Sequence, residues 1–107
     1  MSATHESFYL DAAFAATTST ALFTVSAGYR YYITDVVICN SAESGTAYVT
    51  LQIDDGSGAI TILESVEVVE NDTIISTLGF AMADGDVLYA YTSAGVNLMV
   101  NGLKIGS

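Results

Sequence analysis

From about Thr46 to Ile105, apolar and polar residues alternate with period two, interrupted by clusters of Gly, Asp, Asn and Ser. In Thr46–Asp54 the apolar residues Ala47, Val49, Leu51 and Ile53 fall on one side, and Thr46, Tyr48, Thr50, Gln52 and Asp54 on the other. A strand turns successive side chains to opposite faces, so this is the signature of a half-buried strand. Further strands are predicted over Ala21–Val25, Tyr31–Asn40, Ala59–Val69, Thr73–Phe80, Val87–Thr92 and Val96–Ile105. Turns are predicted at Ser26–Gly28, Ser41–Gly45, Asp54–Gly58, Glu70–Asp72, Ala83–Asp86 and Ser93–Gly95, where Gly, Asp, Asn and Ser supply turn geometry. Ala59–Val69 is long enough for two strands or one bent strand. Val36–Cys39 is apolar on both faces, as in a central strand or one covered by a second layer. Seven to eight short strands at this spacing predict an all-β, single-domain antiparallel sandwich or barrel.

The opening stretch breaks the pattern. Asp11–Thr20 is small and polar with no clean period, and Asp11–Ala16 is too short for a stable helix. Residues 1–20 are therefore expected to form an extended N-terminal arm, with a short extended piece near Phe8–Leu10, ahead of a β-sandwich domain over residues 21–107. Such an arm lies across a neighbouring subunit, folds back on its own sheet or ends frayed. The chain has no Pro, so its edge strands lack the usual proline guard.

Charge narrows the partners. Twelve acids face only Arg30 and Lys104, for a formal net charge of −10. Phosphate backbones need Lys/Arg clusters, so direct nucleic-acid binding is not expected. An anionic membrane surface would repel the chain, and no apolar run reaches the length of a spanning helix. The start has no basic segment leading into an apolar one, so no signal peptide is expected. Charged residues make up 13% of the chain, about half the usual share, so many exposed positions must be Ser, Thr, Ala, Gly or Tyr. A thinly charged surface is easily desolvated, which suits packing against another protein.

Little is left over for chemistry. Nucleophilic catalysis needs a base beside Ser or Cys, and His5 is the one histidine. A zinc site needs three or four His/Cys ligands, and only His5 and Cys39 exist. Asp54-Asp55 with Gly56 and Gly58 resembles a calcium loop at a glance but lacks the spacing of alternating acids with a distant Glu. Glu64, Glu67, Glu70 and Asp72 read as a solvated face. No cofactor, metal or catalytic residue is expected, and the chain reads as a structural or binding protein. The best contact candidates are Phe8, Tyr9, Leu10 and Phe14 of the arm and the cluster Tyr29, Arg30, Tyr31, Tyr32, because Tyr and Arg combine area with hydrogen bonding. Tyr48, Tyr89 and Tyr91 add aromatic surface that could serve a protein or a glycan.

The segments Leu22–Gly28, Tyr32–Asn40, Ala47–Leu51, Ala83–Leu88 and Val96–Ile105 follow one another in a familiar order. A turn of the type "tVpaG" leads into a strand ending in Cys/Thr-Asn, a later "aGD" turn follows, and the chain closes on "v-v-G-ei". Over Leu22–Ile105 the sequence resembles small β-sandwich virion proteins of tailed bacteriophages. Ser26 stands where proline is common, and Lys104 where an acid is common. The resemblance implies an antiparallel β-sandwich, jelly-roll-like in arrangement, and a non-enzymatic part of the particle, first among the options a capsid decoration (cement) protein. It would be made in the host cytoplasm, act on the capsid exterior as a homotrimer, and have the major capsid protein as its partner. Neck, tail or receptor-binding fibre roles are the alternatives.

Overall fold

The computed structural model describes residues 3–40, 45–77 and 79–106. They form nine strands: β1 (Ala3–Phe14), β2 (Thr20–Thr24), β3 (Tyr29–Asn40), β4 (Ala47–Asp54), β5 (Ala59–Val68), β6 (Asp72–Ser76), β7 (Phe80–Met82), β8 (Val87–Thr92) and β9 (Val96–Gly106). There is no helix among them. One sheet runs β1-β9-β3-β6, with β7 also paired to β3, and the other runs β2-β8-β4-β5. All pairings are antiparallel.

Alternation explains the layering. In β3 the buried residues are Tyr31, Ile33, Val36 and Ile38, and in β9 they are Val96, Leu98 and Val100. They meet Val49, Leu51 and Ile53 of β4 and Leu88 and Ala90 of β8 in one apolar cluster between the sheets. The spacing in β3 slips by one between Ile33 and Val36, where the pairing with β9 shifts between Ile33 and Asp35. The bulge at Thr34 lets an odd step keep both runs facing inward.

Several boundaries differ from the sequence reading. The strand expected over Thr73–Phe80 is divided between β6 and β7, which pair with separate stretches of β3. Ala59–Val69 is one strand with shifted pairing to β4, and Ser65 there takes a positive φ of 46°. The expected loop at 41–44 lies outside the described residues. Most importantly, the segment expected as an arm is, over Ala3–Phe14, the edge strand β1 bonded along β9 from Ala3↔Ile105 to Phe14↔Val96. Its pairing shifts between Ser7 and Tyr9 and again between Asp11 and Phe14. Those two irregularities erase the period that would have marked a strand.

Aromatic packing fixes β1 in place. Phe8 stacks on Tyr31 with centroids 4.2 Å apart and planes 7° apart, and Phe23 of β2 closes on both rings. An aromatic pair of this kind adds about 0.5–1.5 kcal/mol beyond the burial of its area. Gly102 makes the approach possible: a Cβ there would collide with the Tyr32 carbonyl and come within 3.0 Å of the Phe8 ring. At the other end, the buried Asn40 donates through Nδ2 to the carbonyls of Gly45 (2.7 Å) and Val68 (3.0 Å), tying the end of β3 to β5.

Gly102→Ala should therefore destabilise the fold by about 1–3 kcal/mol through overpacking against backbone. Urea unfolding checks this; an unchanged midpoint would show that β1 can lift from β9 at no cost.

Candidate functional site

No concave site dominates this molecule, so the candidate surfaces are the two outer sheet faces. Residues opposite one another in a ladder share a face. On the outside of the first sheet, Leu10, Met99, Val37 and Ile75 line up across β1, β9, β3 and β6. Leu10 is 68% exposed and Ile75 63%. Between them Val37 and Met99 are half-buried. Neighbouring strands lie about 4.8 Å apart, so this apolar row crosses roughly 14 Å of sheet. Beside it, Asn97, Cys39 and Thr73 form a second row. A groove of about 230 Å³ runs between Leu10, Ala12, Val37, Cys39 and Met99.

Towards the other end of the same face stand a polar row of Ser7, Asn101 and Asp35 and then a row of His5, Leu103, Tyr32 and Ala81. Arg30 follows, opposite Ile105. Asp35 accepts hydrogen bonds from Asn101 Nδ2 and Thr34 Oγ1, both at 2.9 Å. The ionisable side chains of these rows are His5, Asp35, Tyr32 and Arg30, and Glu6 lines the same hollow as His5, Ser7 and Asp35, in a chain of net charge −10.

The outside of the second sheet has a different chemistry. Tyr91 stands opposite Thr50, Tyr89 opposite Gln52, and Gln52 opposite Thr61. Tyr48, 46% exposed, stands opposite Glu67. Asp54 closes the row next to Val87. This is a tyrosine and hydroxyl face with an acidic margin.

The residues singled out by sequence are dispersed by the fold. Leu10, Arg30 and Tyr32 lie on the outer face of the first sheet. Tyr29 sits at the end of the sandwich with the Lys104 ammonium 4.4 Å above its ring. Phe14 and Tyr31 are buried core residues, and Phe8 and Tyr9 are half-buried against that core. Phe14 and Tyr31 thus serve the chain's own interior, because β1 closes its own sheet. Burial pushes the Tyr9 phenol above its usual range, and the Asp11 carboxylate that accepts its hydrogen bond (3.1 Å) adds to the effect. Sequence reasoning did not pick Val37, Met99 or Ile75. Their signal was there in Val36–Cys39, apolar on both faces, of which the fold covers one.

The acids near turns hold backbone. Asp54 Oδ1 accepts from Gly56 N (2.8 Å), and Asp55 Oδ1 from Ser57 N (3.0 Å) and Oγ (2.6 Å). The Ser57 bonds hold the Asp55 carboxyl below its usual range. Asp84 Oδ2 accepts from Gly28 N and Asp86 Oδ2 from Ala83 N. No group of three or more His, Cys, Asp or Glu among the described residues could hold a metal ion. His5 and Cys39 stand at opposite ends of the same face, six residues of β3 separating Cys39 from Tyr32 in the His5 row.

No protein-family model matches the chain, and no curated protein matches it. Among solved structures, a crystal structure of a pentameric capsid protein isolated from metagenomic phage sequences is similar at 17% identity and a TM-score of 0.42. The match covers 88% of this chain and 59% of that one, so the chain spans somewhat over half the length of that capsid protein.

Tyr31→Ala should cost about 3–5 kcal/mol, as for other buried aromatics. Tyr32→Ala, its surface neighbour, should cost less than about 1 kcal/mol. Thermal unfolding of both variants checks the assignment of one ring to the interior and the other to the surface; equal losses would contradict it.

Proposed function

We propose that this chain is a non-catalytic structural subunit of a phage virion, acting as a capsid cement that docks by its sheet faces. The observation that carries the reading is that both outer faces of a rigid sandwich are left open, one apolar and one rich in tyrosine. A subunit that joins neighbours needs more than one docking surface, and interface centres favour aromatic residues and disfavour charge. The virion-protein motifs over Leu22–Ile105 support the same reading. So does the strand order: a β1-β9-β3-β6 set faces a β2-β8-β4-β5 set, and every connection except β4–β5 and β6–β7 crosses between the sheets, as in jelly rolls, an architecture used by viral capsid and lectin domains alike.

In this reading the tyrosine face of the second sheet meets the major capsid protein. Asp54 and Glu67 border that face, so the coat surface opposite must supply positive charge. A lectin-like role is the second reading, favoured by Tyr89 and Tyr91 standing near Gln52 and Thr61, a mixture of ring faces and hydrogen-bonding groups.

Co-sedimentation with empty capsids of the phage that encodes the chain tests the first reading. Binding is expected, weakened about tenfold by Tyr48→Ala with Tyr91→Ala and falling as salt is raised from 50 to about 500 mM. Clear hits on a glycan array with no capsid binding would replace it with the second.

A further inference from the structure

We infer that the outer face of the first sheet is the contact between two copies of this chain, packed sheet on sheet about a two-fold axis. The inference deepens the docking role proposed above by naming the occupant of this face.

Charge selects the occupant. Two chains of net charge −10 repel wherever their carboxylates meet. The second sheet's face has Glu67 and Asp54, and the exposed turns carry Asp55, Glu70 and Asp84. The outer face of the first sheet is the one that sets a cation among its carboxylates: Arg30 stands against Asp35, with Glu6 and Asp11 along the β1 edge, and Asp35 is already bonded by Asn101 and Thr34. It is also where exposed apolar area is concentrated, in Leu10 and Ile75 at the two ends of one cross-strand row.

A two-fold axis adds an attraction. Arg30 stands at one end of β3 and forms no ion pair among the described residues. At the other end of β3 the exposed Glu70 lies in the turn between β5 and β6. An antiparallel two-fold contact turns the Arg30 end of each copy towards the Glu70 end of the other, so the complementarity is satisfied twice. The contact is self-complementary, which a closed pair requires. The size also fits. The molecule measures 44 × 28 × 19 Å, so its broad face spans about 1,200 Å² in projection. A standard interface takes about 800 Å² from each partner. A trimer, by contrast, needs two different complementary patches, and this face supplies one patch that matches itself.

Sedimentation and light scattering of the purified full chain, with no capsid present, test the inference. The expected result is a species of twice the 11.2 kDa chain mass at high concentration, dissociating on dilution. Leu10→Lys and Ile75→Lys should each weaken the pair by about 10- to 100-fold and Arg30→Glu by about tenfold, with unchanged far-UV circular dichroism. Tyr48→Ala, on the opposite sheet, should leave it intact. Cys39, beside the apolar row, should react more slowly with a thiol reagent in the paired form. A monomer at all concentrations, a trimer, or a dimer that survives both lysine substitutions would overturn the inference. Capsid binding is read separately, so a monomer that still co-sediments with capsids sinks this contact and leaves the cement role standing. A dimer that ignores capsids does the reverse.

Discussion

The pleat of the central strands is the constraint on which the rest of the molecule depends. Ile33, Val36 and Ile38 must face the second sheet to build the interior, and the period of two then sends Tyr32, Val37 and Cys39 the other way. A two-layer sandwich has one inside. Had the outward positions been Thr or Lys, the story would end with a stable fold. Here they continue into Met99, Leu10 and Ile75, so the same backbone geometry that seals the interior also prints an apolar band on the exterior. Packing inside and exposure outside are two results of one register.

That register was easy to read where alternation is clean and hard to read where the chain departs from it. β4, β8 and β9 follow the sequence pattern closely, and the Asp-Gly turns fall where expected because Asp carboxylates hold their own loops. β1 escaped because its two bulges shift the inward side, and because its partner is β9, a pairing that no local window contains. Phe14 and Tyr31 looked like contact residues for the same reason: without β1 in place, nothing local says which aromatic rings are already covered. Val37 and Ile75 were overlooked for the opposite reason. An apolar residue in a strand is taken to be interior, and only the layer count reveals that its side of the sheet has no cover.

The acidic excess also resolves into distinct roles. Asp54, Asp55, Asp84 and Asp86 accept backbone or hydroxyl hydrogen bonds in the turns, and Asp35 is held by Asn101. Charge here is partly structural, and the outer face of the first sheet sets Arg30, one of two cations in the chain, among its carboxylates. A protein so acidic can remain soluble while still offering a surface that another protein can desolvate.

The pairing of β1 with β9 has a consequence for how the molecule comes into being. Ala3 lies beside Ile105, so β1 must wait for a strand made about a hundred residues later before it finds its neighbour. During synthesis Phe8 has no ladder to join until β9 has emerged, and the seam between β1 and β9 zips only then. Long-range closure of this sort is slow, commonly about milliseconds to seconds in all-β proteins. Until that step is complete, the nascent chain lacks the Leu10 end of its apolar band.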